Sequence, residues 1–166
     1  VSIDICASHN GYCADMARTF CVGDVSSQAR RLRVAAQLVL DKGIEKACAG
    51  NHLSDISAAI QQEAERQGFA VVRDFAGHGI GKSMHEDPEV LNYGQPGKGP
   101  ILRAGMTLAL EPMITTGSYK VFIEKDGWTA RTVDGSLAAH VEDTVAVTEG
   151  QPQVLTRGMG VFREDT

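Results

Sequence analysis

Two glutamates stand inside the most apolar stretches of this chain, and they constrain the fold more than any other feature. Glu111 sits in Leu108-Ala109-Leu110-Glu111-Pro112-Met113, and Glu142 in Ala138-Ala139-His140-Val141-Glu142. Stretches this apolar read as buried strands. A buried carboxylate without a partner costs several kcal/mol or takes up a proton. Lys and Arg are scarce within both stretches, so a metal ion is the simplest cationic partner. A second pair of acids, Asp4 and Asp15, lies on two strands flanking Asn10-Gly11, a strong hairpin signal. Alternation places Asp4, Cys6, Cys13 and Asp15 on one face, and Ile3, Ile5, Ala14 and Met16 on the other.

The rest of the chain reads as a frame for these acids. A helix is expected over 26–48, capped by Ser26 or Ser27, with Leu32, Ala36, Val39 and Leu40 as its apolar stripe. A second is expected over 54–67, capped by Ser54 and stopped by Gly68. Phe69–Phe75 reads as a strand and Gly77–Pro88 as a Gly- and His-rich loop. Met106–Ile114 and Leu137–Val147 read as unbroken strands. A hairpin is expected around Asp126-Gly127, and Val154–Leu155 as a sheet extension. Hairpin, two helices, then antiparallel strands make an α+β domain with helices on one face of a curved sheet. Two helices cannot cover both faces, so the open face should be polar or carry the site.

Composition excludes several classes. The chain has 166 residues, room for one domain. Lys plus Arg is 16 against 21 for Asp plus Glu, with no basic stripe, which argues against nucleic-acid binding. The longest apolar runs, such as Val34–Leu40, fall far short of the ~20 residues of a membrane span. The four cysteines form no C-x-x-C pair, so a thiolate zinc site is not indicated. With no signal peptide evident, reduced thiols and a cytoplasmic location are expected. Cys6 and Cys13 are expected to be close enough for mild oxidation to join them. The chain opens at Val1 inside an apolar strand, which reads as the front of a longer protein being absent.

Several motifs taken in order resemble a known family. They are Asp4 with Asp15, then Gly77-His78-Gly79-Ile80-Gly81, His85-Glu86-Asp87-Pro88, Glu111-Pro112-Met113 and Val141-Glu142-Asp143-Thr144. The chain resembles the pita-bread dinuclear metallopeptidases. Leu91-Asn92-Tyr93-Gly94 and Asp126-Gly127-Trp128-Thr129 are similar to those of its bacterial type I methionine aminopeptidases.

The resemblance implies a pseudo-symmetric pita-bread fold whose first half is largely missing. On that reading 1–166 is one catalytic domain, with 1–23 the end of the first half and 24–157 the second. It implies five metal ligands: Asp4, Asp15, His78, Glu111 and Glu142. Asp15 and Glu142 would bridge two divalent ions (Mn, Fe(II), Co or Zn), Asp4 would complete one, and His78 and Glu111 the other. Two such ions would move the formal charge from −5 to −1. The implied activity is removal of the N-terminal methionine from nascent polypeptides by a metal-activated hydroxide. Glu111 would shuttle the proton, and His85 would hydrogen-bond the peptide and the oxyanion. Phe75, Met84, Met113 and Trp128 are the expected pocket residues. Met84, Cys6 and His140 depart from residues common at these places. Implied partners are the nascent chain, the ribosome as a second candidate, and the missing N-terminal half. Two rival readings remain: an X-Pro peptidase of the same fold, against which Met113 argues, and a metal-free peptide-binding module, which would typically lack some ligands.

Overall fold

The computed structural model describes residues 1–157. The chain begins with a hairpin, β1 (Ser2–His9) and β2 (Tyr12–Thr19). Asn10 (φ 50°) and Gly11 (φ 80°) form its turn, the left-handed pair a two-residue hairpin requires. The register sets Cys6 opposite Asp15, Asp4 opposite Ala17 and Cys13 opposite Ser8. The two acids therefore share a face, as alternation requires. Cys6 and Cys13 are diagonal rather than directly paired, ~7–8 Å apart in such a ladder and beyond ordinary disulfide reach. All four cysteines are free thiols.

Two helices follow. In α1 (Ser27–Ile44), the Ser26 side chain accepts a hydrogen bond from the Ala29 amide, as expected of a cap. In α2 (Leu53–Arg66) the cap is His52 rather than Ser54. His52 and Asp55 close a capping box, while the Ser54 hydroxyl accepts from the Lys98 amide. The helices pack on each other. Leu40, Val39, Ile56 and Ile60 are fully buried against Leu108, Leu110, Ile114 and Val145 of the strands.

The remaining strands are β3 (Ala70–Val71), β4 (Ala76–Gly79), β5 (Glu86–Leu91), β6 (Thr107–Leu110), β7 (Met113–Thr115), β8 (Val121–Ile123), β9 (Ala130–Thr132), β10 (Ala138–His140), β11 (Glu142–Ala146) and β12 (Gln153–Val154). The main sheet runs β1-β2-β11-β6-β4-β5, with β12 added on β11. A smaller sheet runs β10-β7-β3, and β8 and β9 form the hairpin expected around Asp126-Gly127. Its pairs are antiparallel throughout. The α+β class is borne out.

Three expectations are corrected. The Phe69–Phe75 strand shrinks to Ala70–Val71. The Gly- and His-rich stretch is not all loop, because Ala76–Gly79 is an interior strand between β5 and β6. The two long apolar strands are each broken. One breaks at Glu111-Pro112, where proline supplies no amide to a ladder, and the other at Val141. The breaks face each other, with the Val141 amide donating to the Pro112 carbonyl. Each break passes the chain between the main and the smaller sheet. Among the described residues, no helix is long and apolar enough to cross a membrane.

The glycines of β4 allow that strand to sit between its neighbours. A Cβ on Gly77 would collide with the Ala109 carbonyl oxygen of β6, and one on Gly79 with the Asp87 carbonyl oxygen. Both obstacles are backbone and cannot rotate away. Gly77→Ala should therefore destabilise the fold by ~1–3 kcal/mol, as overpacking of an interior does. Urea denaturation of the two chains measures it.

Candidate metal centre

Four elements deliver acids and a histidine to one place. Asp15 comes from β2, His78 from β4, Glu111 from the break after β6, and Glu142 from the start of β11. Ligand-capable atoms of Asp15, His78 and Glu142 all lie within 4.8 Å of one another, and all three residues are buried. Glu111 Oε1 is 3.6 Å from His78 Nε2. Asp4, on the exposed strand β1, lies close enough to the Asp15 carboxyl for its charge to raise it. Three of the five residues expected to hold metal thus form one tight group, with Glu111 beside His78 and Asp4 near Asp15.

The backbone positions them through specific hydrogen bonds. The Thr144 hydroxyl accepts from the Asp15 amide (2.9 Å) and donates to the Asp15 carbonyl (2.8 Å), clamping β2 to β11. Thr19 repeats the device one turn of pleat away, accepting from the His140 amide and donating to the His140 carbonyl. Buried Asn92 donates to the Glu111 carbonyl at 3.2 Å and holds the strand break in place. His78 Nδ1 lies 2.9 Å from the Gly79 carbonyl. A carbonyl only accepts, so Nδ1 carries the proton and Nε2 presents its lone pair toward Glu111.

Glu142 and its neighbour Asp143 are treated oppositely. Asp143, fully buried, is paired with Arg18 (2.5 Å) and Arg157 (2.7 Å) and accepts from the Thr156 hydroxyl. Glu142 has no side-chain cation. Its Oε1 is buried without a hydrogen-bond partner, as is Nε2 of His140. Burial, with Glu111, Asp15 and Asp4 nearby, pushes the Glu142 carboxyl up to about 9. Burial, with Asp4 and Asp15, pushes Glu111 up to about 8. Asp15 is raised as well, by burial and then by Asp4. Burial lowers His140. An orphaned carboxylate oxygen among mutually repelling acids, facing an imidazole lone pair, is a donor set suited to divalent cations. The residues fit such an ion.

The other expected site residues are placed less tightly. The His85 ring is exposed, edge-on to His78 with centroids 4.4 Å apart. Phe75, Met84 and Met113 are half-buried beside β4 and β7. Trp128 stands 88% exposed on the β8–β9 loop, so the described residues do not wall it in. Thr144, Thr19 and Asn92 drew no attention in the sequence as positioning residues. Asn92 and Thr144 stand within recognisable motifs; for Thr19 the sequence carries no signal.

The raised carboxyls make stability depend on pH. Without metal, the folded chain keeps protons on Glu111 and Glu142 up to about 8 and about 9, while an unfolded carboxyl releases them near 4.5. The folded state therefore binds more protons between these limits, so stability falls as pH rises through that window, by up to ~1.4 kcal/mol per group per pH unit. Thermal melts in EDTA should show a falling midpoint from pH 5 to 9. Added Mn(II) should flatten the fall, because the ion replaces the protons.

Comparison with known proteins agrees with this geometry. The model of metallopeptidase family M24 matches residues 1–149. A curated methionine aminopeptidase of Clostridium acetobutylicum is 53% identical over 156 residues, covering 94% of this chain and 62% of that protein. The chain therefore spans less than two thirds of such a relative's length. Among solved structures, a methionine aminopeptidase from Thermotoga maritima matches 95% of this chain and 63% of its own, at 44% identity and a TM-score of 0.92. A prolidase from Pyrococcus horikoshii matches at 24% identity and 0.71, with 95% and 40% covered, which shows the shared fold alone. The pita-bread architecture is thus shown, and the chain belongs to metallopeptidase family M24.

Proposed function

We propose that this chain carries the metal centre of a methionine aminopeptidase, an exopeptidase that removes N-terminal Met from peptides and nascent chains in the cytoplasm. The observation that carries the reading is the orphaned Glu142 Oε1 at the meeting point of Asp15, His78 and Glu111. Asp4, Asp15, His78, Glu111 and Glu142 would hold two divalent ions, drawn from Mn, Fe(II), Co or Zn. When bound, such ions supply Lewis acidity and a nucleophile active at neutral pH.

The chain's own groups do the rest. Glu111, half-buried beside His78 and His140 at the edge of the centre, is the group suited to carry a proton to the leaving amine. His85, exposed beside His78, can donate to the peptide carbonyl. Phe75, Met84 and Met113 offer apolar surface for a Met side chain, with Trp128 free to cover it from the β8–β9 loop.

The similarity to methionine aminopeptidases favours Met over X-Pro substrates. The organisation also supports two parts, 1–23 supplying Asp4 and Asp15 and 24–157 supplying the other ligands. Every residue of β1 is exposed, with Ile3 at 47% and Ile5 at 58%. An open strand of this kind invites pairing, and we assign it to the remainder of a longer protein.

Three measurements test the reading. With Mn(II) or Co(II), the chain joined to the remainder of the protein should cleave a Met-Ala-Ser peptide and leave an X-Pro peptide intact; the reverse preference overturns it. Glu111→Gln should lower kcat ~10²–10⁴-fold, as loss of a proton carrier does. Glu142→Ala should abolish metal uptake measured by plasma emission, and full activity with two ions still bound would refute the ligand assignment.

A further inference from the structure

Among the described residues, His140 is a half-buried base near the centre that none of the five assigned ligand positions includes. Its Nε2 is enclosed and lacks any hydrogen-bond partner. It lies 3.9 Å from Glu111 Oε2, while His78 Nε2 is 3.6 Å from the other oxygen, Oε1. Both separations exceed hydrogen-bonding range. Both are also shorter than the ~4.2 Å that two donors can span when each bonds one ion at ~2.1 Å.

The backbone holds His140 firmly in this position. Thr19 binds both its amide and its carbonyl, and β10 pairs it with Met113, two residues beyond Glu111. Two residues on, Glu142 Oε1 is likewise buried without a partner. A buried imidazole nitrogen with no hydrogen-bond partner is costly unless something answers it. A cation held between His140 Nε2 and Glu111 Oε2 would answer the unpartnered nitrogen.

We propose that His140 is a further metal ligand, giving this centre a second imidazole donor. The proposal rests on the metal-centre reading above and adds a consequence for metal choice. A second nitrogen donor shifts an oxygen-rich site toward Zn(II), Co(II) and Ni(II), and away from Mn(II). His140 stands by Glu111 Oε2 as His78 stands by Oε1, so the two imidazoles would hold both oxygens of that carboxylate to the centre.

The test compares the purified chain with His140→Gln and His140→Ala. Titration calorimetry should show Co(II) and Zn(II) affinity falling about tenfold or more in both variants, the scale on which ligand-shell losses act, with Mn(II) changing far less. Proton NMR of the Co(II)-loaded parent should show two hyperfine-shifted exchangeable imidazole N–H signals, one of which His140→Gln removes. The parent spectrum alone decides the matter if a variant fails to fold. One imidazole signal in the parent, or an unchanged spectrum and affinity in His140→Gln, overturns the proposal and leaves the five-ligand centre standing. A parent that takes up none of these ions overturns the metal-centre reading and this proposal together.

Discussion

The structure depends on keeping several carboxylates converged inside an apolar sheet against their mutual repulsion. Asp15 and Glu142 are nearly fully buried, and Glu111 is close to it. Water is not there to screen them, so only protons or cations can make the arrangement tolerable. The hydrogen bonds around the site hold this geometry. Thr144 fixes Asp15 by its own backbone, Asn92 fixes the chain at Glu111, and Gly79 sets the tautomer of His78.

Asp143 and Glu142 show how one strand separates two uses of charge. Adjacent residues point to opposite faces. On one face Asp143 meets Arg18 and Arg157, a satisfied network that ties β2, β11 and the end of the described chain together. On the other face Glu142 meets Asp15, Glu111 and His78. The arginines are used up on the structural side, and the functional side is left requiring a cation from outside the protein.

The strand breaks have the same logic. Pro112 and Val141 interrupt what would be continuous ladders, and the chain crosses from one sheet to the other at both points. A side chain at such a crossing is released from the regular in-and-out alternation. Glu111 and His140 gain their approach to the centre this way. Proline marked the first break in the sequence, whereas nothing local marked the second, because Val141 is as good a strand residue as any.

Much of the fold was legible in local pattern. Asn10-Gly11 requires a hairpin, the 3.6-residue stripes require two helices, and the ordered motifs identify the acids. The residues that stayed hidden are those whose role is set by a neighbour distant in sequence. Ser54 has the chemistry of a cap, yet His52 with Asp55 takes that place and Ser54 serves the Lys98 amide. His78 sits among glycines that suggest a loop, yet those glycines let β4 slide between two backbones. The amino-acid order alone determined which residues can bind a cation and on which strand face they lie, because alternation is a local property. Only the tertiary structure decided that β2 meets β11 and that the two breaks face each other. That meeting left a nitrogen of His140 and an oxygen of Glu142 buried without partners, since burial and hydrogen-bond satisfaction are set by elements more than a hundred residues apart.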